Sequence, residues 1–139
     1  MISHKHKFIF VHPNKCGGNS IEYFFQGYLK VDHTTLVDYQ KKFAKVYENY
    51  FKFGFSRNPF DRLVSVYYGR IQGRAMHRKP DKELAENTFS ESVKLGNRGV
   101  MANCKLMTEK WFTNKKGNVD LDFIGRFENL QSDFNLISE

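Results

Sequence analysis

The sequence predicts an α/β domain: a central parallel sheet with helices on both faces, three layers deep. Two stretches carry that expectation, because each reads as strand, polar turn and helix in succession. Residues 7–28 (KFIFVHPNKCGGNSIEYFFQGY) open on a β-branched and aromatic run, 7–11. They close on 20–28, where Ile21, Phe24 and Phe25 recur at helical spacing. Residues 51–68 (FKFGFSRNPFDRLVSVYY) repeat the design, with an apolar strand ending at Ser56 and a helix carrying Leu63, Val64, Tyr67 and Tyr68. A third pair follows at 119–125 and 128–137. At 139 residues the chain has room for one domain and one core, assigned here to 1–139.

The first turn holds Lys15, Cys16, Gly17, Gly18, Asn19 and Ser20. A strand–loop–helix of this kind presents backbone N–H groups at the helix start, and glycine lets the backbone approach an anion closely. Lys15 adds positive charge. The pattern describes a phosphate cradle, with a plain Gly-Gly turn and a surface lysine as the alternative. It is not the common P-loop, in which the lysine follows the glycines. In the second stretch Arg57 stands where the strand ends, and ligands of open α/β sheets bind beyond the carboxyl ends of strands. A guanidinium offers a planar fork to phosphate oxygens, and Ser65 lies two helical turns on. Pro59 and Asp61 suit the first turn of a helix, one by its fixed backbone and one by its charge. Two anion-friendly strand ends suggest a ligand with two separate phosphate groups.

These residues resemble a known family. Residues 12–20 (HPNKCGGNS) look like the 5′-phosphosulfate loop of sulfotransferases that use 3′-phosphoadenosine 5′-phosphosulfate, PAPS. Residues 57–68 (RNPFDRLVSVYY) look like their 3′-phosphate motif, and 122–134 (DFIGRFENLQSDF) are similar to a late strand–helix segment of that fold. The likeness is greatest to carbohydrate sulfotransferases related to the heparan sulfate 2-O enzymes. It implies a P-loop-like fold, PAPS as co-substrate with PAP as product, a hydroxyl acceptor, most naturally a glycan, and no metal. It implies cofactor contacts from Lys15, Cys16, Gly17, Gly18, Asn19, Ser20, Arg57 and Ser65, and a catalytic role for Lys15. Arg126, at the end of the third strand, either reaches the cofactor or pairs with Glu128. A histidine near 31–35 (VDHTT) serves as base in the 2-O enzymes, and His33 falls on it; a second histidine of those enzymes is Val31 here. A neutral imidazole can take a hydroxyl proton near neutral pH, although a loop or capping histidine is the alternative. His77 is a minor candidate for the same role. The family's usual Pro before the lysine is Asn14 here, with Pro13 one place earlier, and the family's usual threonines are Cys16 and Asn19. The family also continues past the position of Glu139, so the domain is expected to be minimal or truncated.

Composition sets the outer bounds. Hydrophobic residues make up 40% and aromatics 16%, with 14 Phe and 7 Tyr, enough for a dense core. The net charge of +7 implies anionic partners without choosing among nucleotide, glycan, nucleic acid or membrane surface. Cys16 and Cys104 lack metal-ligand spacing and point to a reducing compartment. No apolar run of signal or membrane length follows Met1, so a cytoplasmic protein is expected, with no membrane and no specific nucleic acid as partner. A kinase-like phosphate-binding transferase and a non-catalytic module for polyanions are the competing readings.

The remaining segments are plainer. Residues 1–6 read as a frayed basic lead-in. Residues 36–46 have one helix's spacing, with lysines outward. Residues 69–82 read as a basic surface loop, which either grips an anionic acceptor or is simply solvated. Short helices are expected over 90–95 and 100–110. Trp111 and Phe112 suit core packing more than adenine stacking. Ser20 suits a helix cap as well as a phosphate donor. Arg62 carries no assignment.

Overall fold

Residues 1–25, 33–73, 79–96 and 108–138 are described by a computed structural model. The chain divides into two compact units, 1–57 with 107–139, and 58–106.

The first unit is built on strand β2, Phe8–Val11, whose four residues are all buried. A strand covered on both faces reads as a continuous apolar run. It lies in a four-stranded sheet, order β1-β2-β3-β4, with β1 at Ile2–Ser3, β3 at Phe51–Ser56 and β4 at Phe123–Arg126. β2, β3 and β4 are parallel, in the register Phe10↔Phe53 and Gly54↔Ile124; β1 is antiparallel to β2. Alternation along the strands sends Phe8, Phe10, Phe53 and Phe55 to one face. There they meet Ile21 of α1, Gly18–Phe24, and Phe134 of α8, Leu130–Ser138. Phe10 and Phe53 stack with centroids 4.9 Å apart. Ile9 and Val11 face the other way. They pack with Leu36 and Tyr39 of α2 (Leu36–Lys42), Tyr47 of α3 (Ala44–Asn49), and Trp111 and Phe112 of α7 (Thr108–Phe112). Helix, sheet and helix thus make three layers in this unit, the mixed α/β arrangement expected. Each fully buried aromatic or aliphatic side chain contributes about 1.5–3 kcal/mol by leaving water.

The second unit holds α4 (Pro59–Ile71), α5 (Lys82–Ala85) and α6 (Phe89–Lys94). Asn58 caps α4 by accepting from the Phe60 and Asp61 N–H groups, with Pro59 in the first turn. Tyr67 and Leu84 form its small core, and the Tyr67 hydroxyl donates to the Asn87 carbonyl at 2.6 Å. Arg70 pairs with Asp81 at 2.8 Å, while Asp81 also accepts from Leu84 N–H to start α5. Thr88 and Glu91 form a reciprocal cap on α6.

Several expectations are corrected. Residues 1–6 do not fray as a whole: Met1 is buried, Ile2 and Ser3 pair with β2, and the terminal ammonium donates to the Phe10 carbonyl and the Tyr39 hydroxyl. The helix expected over 36–46 is two helices, broken at Phe43, whose extended φ of −136° ends the first. Ser20 does not cap α1. Gly17 does, at φ +86°, with Ser20 inside the first turn and no side-chain cap. The third strand starts at Phe123 rather than 119, and includes Arg126. Residues 69–82 are not wholly loop, since α4 runs to Ile71 and α5 starts at Lys82. Trp111 and Phe112 are core residues, as expected. His77, Cys104, Val31 and most of the helix expected over 100–110 lie outside the described residues.

Candidate functional site

Strands β2 and β3 run side by side and in the same direction, so their carboxyl ends deliver two turns to one edge of the sheet. The turn after β2 contains Lys15 and the glycine pair. The turn after β3 begins with Arg57. The two meet directly: Arg57 Nη1 donates to the Lys15 carbonyl at 3.0 Å. The guanidinium also lies 4.2 Å from the ring centroid of Phe127, in the turn after β4. Its Nε is buried and has no hydrogen-bond partner among the described residues. Three successive strand ends therefore converge on one guanidinium.

The loop itself is tightly folded. Lys15 has φ +66° and Gly17 φ +86°, both left-handed. For lysine that conformation costs roughly 1–2 kcal/mol, so surrounding contacts must hold it. The Arg57 bond to its carbonyl is one of them. The Cys16 N–H donates to the Pro13 carbonyl at 3.2 Å, and its thiol is buried 3.7 Å from the Asn14 carbonyl. A Cβ on Gly17 would lie 3.2 Å from Leu130 and 3.3 Å from Phe127, so α8 and the turn before it brace the loop from outside. Asn19 and Ser20 are exposed.

Beneath the loop sits His12, only 3% exposed. Its Nε2 accepts from the Gly18 N–H at 2.9 Å. That amide is thereby engaged inside the protein, while Asn19 and Ser20 stay outside. A Cβ on Gly18 would fall 2.1 Å from the His12 ring, so only glycine fits there. His33 stacks on His12 with centroids 4.9 Å apart and planes 29° apart. Its Nδ1 lies 3.3 Å from the His12 carbonyl oxygen. A carbonyl can only accept, so Nδ1 carries a proton there, and the tautomer this contact favours is the one with its lone pair on Nε2. The Trp111 ring meets His33 edge-on at 6.4 Å.

Of the residues singled out from the sequence, Lys15, Cys16, Gly17, Gly18, Asn19, Ser20, His33 and Arg57 gather in the first unit around one strand edge. Arg126 ends β4; its backbone N–H donates to the Asp133 carboxylate at 2.7 Å and the residue is exposed. Ser65 lies on α4 in the second unit, half-buried. Residues 12–20 contain no carboxylate. With a lysine, exposed polar side chains and an arginine nitrogen that has no partner among the described residues, the donor chemistry fits an anion. Sequence reasoning gave no role to His12, Phe127 or Leu130. A histidine directly after the first apolar run was the one visible signal; the other two become neighbours only when β4 joins the sheet.

The fold and this edge define a mixed α/β protein with a mostly parallel sheet flanked by helices. The family model described as "Sulfotransferase family" matches residues 1–139, and the chain belongs to that family. Neither a curated protein nor a solved structure gives a significant match. Among the described residues no cluster of three or more potential metal ligands occurs, and no helix is long and apolar enough to cross a membrane.

Proposed function

We infer that this family member transfers a sulfuryl group from PAPS to a hydroxyl, a carbohydrate hydroxyl by its likeness to the 2-O enzymes. One observation carries the reading: the lysine-bearing loop and Arg57 stand on adjacent parallel strands and touch at 3.0 Å. One doubly phosphorylated nucleotide can therefore engage both turns.

PAPS brings a sulfuryl group already attached to a good phosphate leaving group. In the transfer, the acceptor oxygen forms its bond to sulfur as the bond from sulfur to the phosphate oxygen breaks, and PAP leaves. Lys15, with the exposed side of the loop at Gly17, Asn19 and Ser20, meets the negative charge that collects on the departing oxygen. Such prearranged donors stabilise a transition state more than the ground state. His33 Nε2 takes the acceptor's proton. Arg57 and Ser65 hold the 3′-phosphate, Arg57 through the edge of the guanidinium not used on Lys15, and Arg126 assists.

Lys15→Ala should lower turnover by roughly 10²–10³-fold, the usual loss for one such donor, with the fold intact by circular dichroism. Calorimetry with 3′-phosphoadenosine 5′-phosphate should show binding by the unsubstituted chain. Near-normal transfer by Lys15→Ala removes the lysine from its assigned role. Magnesium-dependent ATP turnover would favour a kinase instead. Salt-sensitive binding of polyanions without nucleotide affinity would favour a non-catalytic basic module, a reading that the +7 charge keeps in play.

A further inference from the structure

His12 is a buried polar residue to which the mechanism above gives no task, yet it touches both of its working parts. Through Nε2 it accepts the Gly18 N–H at 2.9 Å and so fixes the inner side of the loop. Through its ring it stacks on His33, and through its carbonyl it orders the His33 Nδ1 proton. Gly18 has given up a side chain to admit that ring, since any Cβ there would overlap it at 2.1 Å. A merely space-filling residue needs neither the acceptor nitrogen nor the aligned imidazole.

We propose that His12 is the positioning residue of this site: it ties the anion loop and the base His33 into one rigid piece, and sets the His33 tautomer that leaves Nε2 able to take a proton. The proposal rests on the sulfuryl-transfer reading. It assigns His12 no contact with the reacting atoms. Its effect acts through distance, because the loop must place the donor and His33 must face the acceptor at the same time. Misplacement by about 1 Å in such a pair can cost roughly 10²-fold in rate.

The test uses the full chain in three forms: unsubstituted, His12→Phe and His12→Gln. Phenylalanine keeps a ring beside His33 but cannot accept from Gly18. Glutamine offers an amide oxygen near the former Nε2 and can accept. His12→Phe should lose roughly 10²-fold in kcat, with donor KM changed far less and the folded fraction preserved. His12→Gln should recover at least about tenfold of that loss, as expected for a restored hydrogen bond worth about 1–1.5 kcal/mol. Equal kcat in all three forms overturns the proposal, as does a loss in both variants that merely follows the unfolded fraction. If His12→Phe does not fold, Gly18→Ala alone and combined with His12→Ala decides the matter. Removing the ring should restore folding to Gly18→Ala without restoring turnover, whereas recovery of both would make His12 only an obstacle. An unsubstituted chain that binds no 3′-phosphoadenosine 5′-phosphate sinks the sulfotransferase reading itself. A chain that binds it, and whose His12→Phe form keeps affinity and kcat, sinks only this one.

Discussion

Tyr47 donates its hydroxyl proton to the Asp120 carboxylate, which also accepts from Asn114 Nδ2 at 3.2 Å. Burial, and then the neighbouring carboxylate, push the Tyr47 hydroxyl well above its ordinary range. The same bond, helped by Asn114 and the Lys52 charge, holds Asp120 below the usual carboxylate range. The signs follow from linkage. The lowered Asp120 contributes stability that is present above about pH 4, its ordinary value, and is lost as acid protonates it. The raised Tyr47 contributes stability that is present below about pH 10 and is lost as alkali removes its proton. Tyr47→Phe should therefore cost about 1.5–3 kcal/mol near neutral pH, and flatten both the acid and alkaline limbs of a melting-temperature profile. Unchanged limbs would mean the pair does not act as described. This pair was not legible beforehand, because residues 47 and 120 meet only after the sheet forms. Lys15 and Arg57 were legible, since a charge at a predicted strand end is a local signal. The bond between Arg57 and the Lys15 carbonyl was not, because it depends on β2 and β3 being neighbours.

At the scale of elements, β2, β3 and the helices after them stood out because apolar runs and Gly or Pro punctuation are both local features. β1 did not: two residues give no periodicity, and only their pairing with β2 and the packing of Met1 show their role. The break at Phe43 was hidden for a similar reason, as its spacing fits one helix while its backbone does not. Gly54 shows how closely the elements fit. A Cβ there would lie 2.7 Å from the Phe112 ring of α7 and 2.8 Å from the Val11 carbonyl of β2. Neither a strand backbone nor a core ring can yield cheaply. Gly54→Ala should thus destabilise by about 1–3 kcal/mol, measured by denaturant unfolding. Because Gly54 lies three residues before Arg57, on the strand that ends at Ser56, nucleotide affinity should fall as well. A fully tolerated alanine would show that α7 and β3 are less tightly packed than the geometry indicates.

For the whole molecule, ligand binding and stability are linked. A ligand that binds only the native state stabilises it by mass action, about 2.7 kcal/mol at a hundred times Kd. Saturating 3′-phosphoadenosine 5′-phosphate should raise the melting temperature of the unsubstituted chain, and raise it less for Arg57→Ala and for Ser65→Ala. A full shift in Ser65→Ala would remove that serine from the site. The first unit is also discontinuous in sequence. Lys52 of β3 is bonded to Asp122, seventy positions away, where the last strand is about to begin. Closing so wide a loop adds little to its equilibrium cost but delays the pairing. During synthesis β3 must wait, one flank bare, until the ribosome has released the segment around Phe123. A product cut short before Phe123 would keep that flank permanently open, an invitation to pair with a stranger. The phenylalanines that make the native sheet cohesive are the same ones that would make such a fragment stick.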